Sequence, residues 1–360
     1  MIVLGIETSC DDTCAAVVKK ERNRITSLSG VVSSQAELHK EWGGVYPSLA
    51  KREHQKNCVP VTEKALKEAG LLEKGKGETC EKIEEIMSRE KDLLIKTKEF
   101  LSCYKKPAID AVAVTVGPGL DPCLWVGVNF AKTLACAYNI PVIPVNHIQA
   151  HILSFLLSNE KVEYPAVALI ASGGHTELVL MKDIQTFVSL GKTRDDAAGE
   201  CFDKTARILG LPYPGGPEIS KLAKKAKKSS VKLPRPMIHS KNYDFSFSGL
   251  KTAVLYTKKE YNKSEMAWEI EEAITDVLVS KLIKAGEEYG AKTLIIGGGV
   301  TANEKLREKI KEKAVIPPLH LSIDNAEMIA ATALAIGKKE KQENISADAN
   351  LKIDFPLNLN

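Results

Sequence analysis

The chain has 360 residues, of which 44% are hydrophobic and 27% are charged, and its formal net charge is +4. This length predicts about two domains, and the composition is that of a globular protein with a large core. The small net charge excludes a molecule whose whole surface binds nucleic acid, so such contacts must come from local basic clusters. The 8 cysteines are scattered without a CxxC pair, which argues against a zinc ribbon and a secreted disulfide framework.

Residues 1–9 predict a strand that begins at once, and no charged leader of a signal peptide is present. The longest uncharged stretches are interrupted by Gly-Pro, Pro and His, which argues against a membrane span. We therefore expect a cytoplasmic protein with reduced cysteines and no membrane contact.

The two halves of the chain repeat one arrangement of predicted elements. Each half has two apolar runs joined by a small polar turn, which predict a hairpin, and then a strand, a glycine loop and a helix. These segments are 2–6, 14–18, 109–116, 117–119 and 124–138 in the first half, and 166–171, 178–181, 293–296, 297–299 and 303–313 in the second. The repeat predicts a duplicated, two-lobed α/β architecture with a ligand cleft between the lobes.

We expect a first lobe over residues 1–146 and a second over 147–322. A helix over 323–338 returns to the cleft and the first lobe, and 339–360 form a polar, partly disordered tail. Residues 72–106, called the arm below, are rich in Lys and Glu and have apolar residues at loosely helical spacing. They predict an inserted helical arm with a solvated face, more simply explained as surface than as a docking site.

Two histidines follow a short β-branched strand at the centre of the chain. His147 and His151 are four residues apart in a run that predicts a helix, so both rings lie on one face and can reach one metal ion. Two imidazoles would leave positions open for a substrate. For an isolated HxxxH the simpler interpretation, two hydrogen-bonded or half-buried polar residues, is the preferred one. A zinc peptidase is disfavoured because Ile148 stands where such an enzyme needs glutamate.

The most plausible third ligand is an acidic residue that is distant in the sequence, Asp324. Two histidines and a carboxylate would suit Zn or Fe(II), and the sequence does not choose between them. Asp324 also precedes an apolar helical run, so it is a good candidate for the N-cap of a helix. The two roles are compatible.

The small polar turns and glycine loops predict phosphate-binding backbone in both halves. The residues concerned include Ser9, Ser172, Gly173, Gly174, Gly297, Gly298 and Gly299. Four such loops at equivalent places point to a nucleotide more strongly than one would.

Three further segments carry candidate polar contacts. Residues 195–204 contain four carboxylates, which either complement a helix dipole or hold a ribose through its hydroxyls. Residues 213–217 form a rigid Pro-Gly turn that lets backbone approach a ligand. A basic run includes Lys221, Lys224, Lys225 and Lys228, and it predicts either a solvated face or RNA phosphate contacts.

Together these motifs resemble the TsaD-type tRNA threonylcarbamoyladenosine transferase family, once called glycoproteases, in its bacterial branch. The matching stretches cover nearly the whole chain outside the arm and the tail. They are 5–11, 117–120, the two histidines, 172–176, 195–205, 213–217, 244–252, 297–303 and 324–325.

The resemblance implies an actin/sugar-kinase/heat-shock-ATPase-like fold and a tRNA-modifying acyl transfer. The exocyclic amine of the adenosine beside the anticodon, in tRNAs that read codons beginning with A, attacks threonylcarbamoyl-adenylate and AMP leaves. It implies a metal on His147, His151 and Asp324, and it makes Asp11 the candidate to orient or deprotonate the amine. The implied adenylate contacts are Ile170, Ala171, Ser172, Gly173, Gly174, Asp203, Gly216 and Asn303.

The resemblance further implies a paralogous TsaB-type scaffold subunit and a small TsaE-type ATPase as partners. The arm is longer than the compact bacterial pattern, and Ile323 and Ala326 flank Asp324 where a small polar residue and a glycine are expected. An ATPase or kinase on the same fold is the main alternative, although it gives the histidines no task. A non-catalytic nucleotide-binding scaffold is the other, although such scaffolds are expected to lack the paired histidines.

Overall fold

The computed structural model describes residues 1–158, 160–257, 261–341 and 344–354. The chain divides into two compact units. Unit 1 comprises Met1–Glu37, Val45–Ser158 and Asp324–Asn360, and unit 2 comprises Leu38–Gly44 and Asn159–Ile323.

Each unit contains a five-stranded mixed sheet whose buried strands are rich in Val, Ile, Leu and Ala. In unit 1 the strands are β1 (Ile2–Glu7), β2 (Asp12–Glu21), β3 (Arg24–Ser34), β4 (Ala111–Gly117) and β5 (Val142–Asn146). In unit 2 they are β6 (Ala166–Ala171), β7 (Thr176–Met181), β8 (Phe187–Lys192), β9 (Thr293–Gly297) and β10 (Ala314–Val315).

The helices fall into three groups along the chain. The first group is α1 (Ala36–His39), α2 (Pro47–Glu68), α3 (Ile83–Ile86), α4 (Lys91–Cys103), α5 (Asp121–Tyr138) and α6 (His147–Leu153). The second is α7 (Ala198–Leu209), α8 (Gly215–Ala223), α9 (Ser248–Thr257), α10 (Lys263–Glu288), α11 (Glu304–Ile310) and α12 (Leu319–Ser322), and then α13 (Ala326–Ile336) belongs to unit 1. Short 3₁₀ helices are Lys40–Trp42, Ser154–Leu157 and Gly299–Ala302.

The two sheets share one topology, which confirms the predicted duplication. Strand order is β3-β2-β1-β4-β5 in unit 1 and, read from the corresponding edge, β8-β7-β6-β9-β10 in unit 2. Equivalent strands of the two halves therefore occupy equivalent positions in their sheets. In both, three strands form an antiparallel meander, and the first strand of that meander pairs in parallel with a later strand. Parallel strands require a crossover, and helices supply it in each unit.

The first lobe extends further than the boundary at residue 146 that the sequence suggested. Helix α6 and the following 3₁₀ helix lie in unit 1. Ala150 of α6 is fully buried in a cluster with Val3 of β1 and Met328 of α13. This packing keeps the histidine helix with the first sheet.

The arm is integrated into unit 1 through one apolar side. Ile83, Met87, Leu93 and Phe100 are buried in the core cluster that also contains Phe130 of α5. A disulfide joins Cys80 of the arm to Cys136 of α5, contrary to the expectation of reduced cysteines. Apart from Glu90, which is fully buried, most charged residues of the arm face outward, so the arm is a packed addition to the first sheet's helical layer.

Part of the C-terminal segment packs into unit 1, which the prediction of a polar tail did not anticipate. Ile345, Leu351 and Ile353 are buried in unit 1. Asn146 donates from Nδ2 to the carbonyl of Lys352 at 3.1 Å, and Gln149 donates from Nε2 to that of Ile353 at 2.9 Å. Residues 355–360, which the predicted tail includes, lie outside the described residues. Among the residues described, no helix is long and apolar enough to cross a bilayer.

Candidate metal centre and nucleotide loops

The two histidines lie on one face of α6, as predicted from their spacing. Asn146 is the N-cap of this helix, and its side chain accepts from the amides of Ile148 and Gln149. His147 is 6% exposed and His151 is 1% exposed, and their ring centroids are 4.6 Å apart. The buried strand β5 and this cap therefore fix both imidazoles inside unit 1.

Asp324 reaches the same point from the other end of the chain. Its Oδ1 is 3.0 Å from Nε2 of His151 and 3.6 Å from Nε2 of His147. The predicted N-cap role of Asp324 is wrong, because the side chain of Asn325 accepts from the amide of Met328 and caps α13. Because Asn325 caps the helix, the carboxylate of Asp324 is directed at the two histidines.

Close packing of α13 on β1 explains why Asp324 arrives here. A Cβ on Gly5 of β1 would collide with the backbone carbonyl of Ala326, in the first turn of α13. Glycine lets the helix backbone approach the strand more closely than any other residue would. The helix start, and the aspartate just before it, are thereby placed beside α6.

A carboxylate behind His147 completes the arrangement. Glu7 is fully buried, and its Oε2 is 3.0 Å from Nδ1 of His147 and accepts from Oγ1 of Thr115 at 2.6 Å. Ser9 Oγ lies 3.3 Å from the same Nδ1. A carboxylate on the far nitrogen of a ligating histidine fixes the ring and raises its basicity. The sequence interpretation missed Glu7, and its only signal was an acidic residue ending an otherwise apolar strand.

Charges in this cluster shift the pKa values in opposite directions. Burial disfavours an imidazolium, but the carboxylates of Glu7 and Asp324 outweigh burial and raise the pKa of His147 to about 9. Burial raises the pKa of Glu7, but the charge and hydrogen bond of His147 reverse this and lower it below its usual value. Burial dominates at His151 and lowers its pKa. In the metal-free protein these shifts favour a protonated His147 beside an ionised Glu7.

The donor set fits a metal ion. One ligand atom from each of His147, His151 and Asp324 lies within 4.8 Å of the others. Two neutral imidazole nitrogens and one carboxylate oxygen are the ligands of catalytic zinc and of non-haem Fe(II) sites, which keep positions open for substrate. Nδ1 of His151 has no hydrogen-bond partner among the described residues. The Nε2 atoms are the ones that converge on Asp324.

The first turn carries the remaining predicted residues of unit 1. Asp11 lies between β1 and β2, where its carbonyl accepts from the amide of Gln35 at 3.1 Å. His54 of α2 is fully buried, donates or accepts at Oγ1 of Thr13 at 2.8 Å and contacts the carbonyl of Cys10 at 3.0 Å. Buried contacts on both sides of Asp11 therefore hold this turn.

In unit 2 the predicted glycine loops meet at one edge of the sheet. Ile170 and Ala171 end β6, and the turn after them closes through the amide of Ser172, which donates to the carbonyl of His175 at 2.8 Å. A Cβ on Gly173 or Gly174 would meet no atom within 4 Å, so open space lies beside this turn. The turn is therefore accessible to a ligand.

The segments that contain Gly298 and Gly199 pack closely against this turn. Gly298, which has a φ of 90° and follows Gly297 at the end of β9, lies so close to β6 that a Cβ would be 2.6 Å from the carbonyl of Ala171. Gly199 in α7 would place a Cβ 2.6 Å from the carbonyl of Ser172. Beside Gly299 a Cβ would meet no atom within 4 Å. The parallel strands β6 and β9 thus end at a common glycine-lined surface.

Asp203 and Asn303 both make hydrogen bonds within unit 2. Asp203 accepts at Oδ1 from the amide of Gly215 at 2.7 Å, which ties α7 to the start of α8 next to Gly216. Asn303 caps α11 and donates from Nδ2 to Ser220 at 2.9 Å and to Glu271 at 2.7 Å. Both amide hydrogens of Asn303 are therefore used inside the protein, which favours a role in positioning over a direct hydrogen bond from that group to adenine.

The acidic stretch 195–204 is mostly committed to internal contacts. Asp195 accepts from Oγ of Ser246 at 2.5 Å and of Ser248 at 2.8 Å, and these bonds lower its pKa although burial opposes them. Asp196 and Glu200 pair with Lys204 at 2.6 and 2.8 Å. These contacts connect two of the motif segments and favour the structural alternative for these three acids.

The basic run is exposed, but one of its lysines is paired. Lys224 lies 2.6 Å from the carboxylate of Glu304. Lys221, Lys225 and Lys228 are exposed. The run remains a prediction for RNA phosphate contacts.

Solved structures establish the fold class. HypF of T. kodakarensis superposes with a TM-score of 0.57 at 13% identity over 93% of this chain and 47% of its own. Component A of the (R)-2-hydroxyglutaryl-CoA dehydratase of Acidaminococcus fermentans superposes with a TM-score of 0.50 at 13% identity, covering 92% and 96% of the two chains. With its two sheets of like topology, the protein has the actin/sugar-kinase/heat-shock-ATPase-like fold.

The sequence itself gives the family. The family model described as TsaD, tRNA N6-adenosine threonylcarbamoyltransferase, matches residues 26–74 and 97–331. Relatives with that name are 46% identical in Persephonella marina, over 97% of this chain and 93% of the relative, and 43% identical in Geobacillus kaustophilus, over 97% and 95%. The chain belongs to the TsaD family of tRNA N6-adenosine threonylcarbamoyltransferases. The unmatched residues between 74 and 97 lie within the arm.

Proposed function

We propose that the protein transfers the threonylcarbamoyl group from threonylcarbamoyl-adenylate to the exocyclic amine of the adenosine beside the anticodon, in tRNAs that read codons beginning with A. The amine nitrogen bonds to the carbamoyl carbon, the bond from that carbon to the phosphate oxygen breaks, and AMP leaves. The supporting observation is the convergence of His147, His151 and Asp324, backed by Glu7, in a chain of this family.

We assign the metal to Nε2 of both histidines and the carboxylate of Asp324, with Fe(II) and Zn as the candidate ions. When bound, such an ion supplies Lewis acidity and a template for the acyl group. Glu7 holds the imidazole of His147 through Nδ1, so that Nε2 is presented with its lone pair toward the ligand cluster.

Asp11 is the proposed acceptor of the amine proton, through its carboxylate. It lies in the turn that follows Glu7 and Ser9, the residues that hold His147, and His54 supports that turn at the carbonyl of Cys10. A general base that removes the proton as the new bond forms contributes typically about 10²–10⁴-fold to such a rate.

The adenylate is assigned to the glycine-lined surface of unit 2. Gly173 and Gly174 lie beside open space in the turn that follows Ile170, Ala171 and Ser172, and Gly297, Gly298 and Gly299 border this turn. Backbone amides without bulky side chains bind phosphate groups. Gly216 and Asp203, at the start of α8, are assigned to the ribose, and Asn303 shapes the adenine side through its contacts with Ser220 and Glu271.

The proposed setting is cytoplasmic, with a TsaB-type scaffold subunit and a TsaE-type ATPase as partners. These partners and the exposed Lys221, Lys225 and Lys228 as tRNA contacts follow from the family resemblance and from charge. Lys224 contributes less to tRNA binding, because Glu304 neutralises it.

Reconstitution tests the proposal. Purified protein, tRNA and threonylcarbamoyl-adenylate are mixed with and without the partners, and modified adenosine is measured in the wild type and in His147→Ala. We expect product in the wild type and a loss of at least about 100-fold in the variant, because removal of a metal ligand abolishes an ordered site. Equal product in both would overturn the site assignment.

A separate measurement excludes the kinase or ATPase alternative, which the family assignment does not favour. The protein is incubated with ATP alone, and released phosphate is measured. Rapid phosphoryl turnover without threonylcarbamoyl-adenylate would support that alternative, whereas we expect none above the level of His147→Ala.

A further inference from the structure

A cavity lies in unit 1, between the arm and α5, and none of its lining residues belongs to the proposed transfer site. Its volume is about 460 Å³. The polar and aromatic residues that line it are Lys82, Glu85, Ser88 and Arg89 from the arm and Trp125, Asn129 and Lys132 from α5. Three cations against one acid make the cavity electropositive.

One face of α5 forms the floor of this cavity. Trp125, Asn129 and Lys132 are spaced by four and three residues, so they project from the same side of the helix. Trp125 and Lys132 are half-buried, and in the part of the chain that the structure describes neither side chain has a hydrogen bond or ion pair. Burial lowers the pKa of Lys132. The helix thus presents an unpaired indole N–H and a desolvated amine.

A buried polar side chain gives the floor a fixed shape. Asn129 is 7% exposed and donates from Nδ2 to Oε2 of Glu90 at 2.9 Å. Glu90 is fully buried, and Lys51 lies 3.7 Å from its other oxygen. This anchors the arm to α5 next to Arg89, which is exposed and without a hydrogen bond among the described residues.

The disulfide holds the two walls together. Cys80 precedes Lys82 by two positions in the arm, and Cys136 follows Lys132 by one helical turn in α5. The bond therefore closes the same end of the arm that lines the cavity. The cavity is formed by the packed arm, not by a loose surface loop.

We propose that this cavity binds a nucleotide, with the base stacked on Trp125 and the phosphate between Arg89 and Lys132. Indole rings stack on any base, and guanidinium and ammonium groups bind phosphate. The volume is within the range of about 300–1,000 Å³ typical of small-ligand sites. A small inorganic anion would leave the indole uncovered, and a neutral aromatic ligand would leave Lys132 without a counter-charge.

The site goes beyond the proposed transfer reaction, because all of the arm residues that line it belong to the segment that the family model does not match. That model ends one match at residue 74 and resumes at 97. The ligand is either a free nucleotide or a nucleotide within an RNA, and both present the same base and phosphate.

Photo-crosslinking locates the ligand. The full chain is irradiated with 8-azido-ADP, and labelled peptides are identified by mass spectrometry in wild type, Arg89→Gln, Lys132→Gln and Trp125→Leu. We expect label on the peptide that contains residues 125–132, reduced about tenfold in each variant, since one charged contact or one stacked ring is worth about that factor. Lys91→Gln is the matched control, because Lys91 is an exposed arm cation that does not line the cavity.

Label on this peptide that Lys91→Gln reduces equally would overturn the proposal, as would absence of label from both this probe and the RNA probe described next. Label on peptides of unit 2 reports binding at the adenylate site and is counted separately. The experiment can therefore contradict the cavity proposal without contradicting the proposed function, and the reverse. Thermal unfolding of every variant must match the wild type, and Arg89→Gln, which changes only an exposed side chain, keeps the test valid if Trp125→Leu is unstable.

A second probe separates the two sources. A tRNA that carries 4-thiouridine is crosslinked in parallel, with and without excess ADP. Label on the 125–132 peptide that ADP displaces indicates a free-nucleotide site, and label that persists at ADP concentrations saturating for the azido probe indicates an RNA nucleotide. Both outcomes support nucleotide binding, and no label from either probe overturns it.

Discussion

Glu7 links the candidate metal centre to the first sheet. Its Oε2 contacts Nδ1 of His147 and accepts from Thr115, and its Oε1 accepts from the amide of Ser9. All of these groups are buried, so the carboxylate cannot exchange a lost partner for water. The orientation of His147 therefore depends on a residue that is not itself a proposed ligand.

Glu7→Gln tests this dependence. We expect zinc affinity to fall about 10- to 100-fold, because an amide lacks the charge that raises the basicity of the imidazole. Competition with a chromophoric chelator measures the affinity. Glu21→Gln, at an exposed position in β2, serves as the control. Unchanged zinc affinity in Glu7→Gln would show that the contact is incidental.

Asp12 makes metal-free unit 1 less stable as pH rises. Burial, and then the charge of Asp324, raise the pKa of Asp12 to about 7. In the unfolded chain an aspartate ionises near pH ~3.9, so between about pH 4 and 7 the folded state holds a proton that the unfolded state has lost. Stability from this group is therefore present at low pH, falls through that window and is constant above it.

Asp12→Asn removes this pH dependence. In the presence of a chelator we expect the variant to gain about 1 kcal/mol or more over the wild type at pH ~8, and little at pH ~4.5, with partial exposure limiting the gain. Urea unfolding at the two pH values measures the difference. Asp92→Asn, at an exposed site in α4, is the control. A gain that is the same at both pH values would contradict the assignment.

At the scale of elements, the contact between β1 and α13 decides where Asp324 lies. Gly5→Ala places a methyl group against the carbonyl of Ala326 and next to Ala330, both in a buried helix. The helix backbone must shift, so we expect a loss of about 1–3 kcal/mol in stability, with weaker metal binding. Denaturant unfolding and zinc titration measure the two effects.

Gly249→Ala is the matched substitution for this test. Gly249 lies in α9, and a Cβ there would meet no atom within 4 Å. Alanine favours a helix over glycine by roughly 1 kcal/mol, so this variant should be neutral or stabilised. Similar losses in both variants would mean that the close approach at Gly5 is unimportant.

The elements also show what local sequence predicts. Period-two and helical patterns, glycine loops and Pro turns predicted the hairpins, the crossover helices and the duplication, because each depends on residues near one another in the chain. Glu7 and His147 are joined across 140 positions, and Cys80 and Cys136 across 56. Such pairings depend on how whole elements pack, and residue spacing does not encode them.

The prediction of a polar tail for residues 339–360 missed the packing of this segment for the same reason. Its polar composition predicted a tail, yet Ile345, Leu351 and Ile353 are buried in unit 1, and polar side chains from β5 and α6 donate hydrogen bonds to its backbone. The histidine pair and Asp324 were proposed from residue type and were brought together by the fold. The capping role was misassigned by one residue, since Asn325 competes with Asp324 for the same helix start.

At the scale of the whole molecule, a net charge of +4 requires tRNA affinity to come from local patches. For the double variant Lys225→Gln and Lys228→Gln we expect weaker tRNA binding and a slope of log K against log salt that is smaller in magnitude by about 1–2. Filter binding over a range of salt concentrations measures it. The control is Lys64→Gln with Lys67→Gln, two exposed lysines of α2. An unchanged slope would place the RNA elsewhere.

The discontinuity of unit 1 has a consequence for synthesis on the ribosome. Its sheet and histidine helix are translated first, unit 2 follows as one almost uninterrupted stretch, and Asp324 and helix α13, which covers the sheet, are made only after it. The N-terminal part of a chain leaves the ribosome first, and domains generally fold as units. Until α13 has been made, the face of the first sheet that it covers therefore stays exposed. The ligand cluster assembles only after that helix docks, so metal can bind there only once unit 2 has been translated.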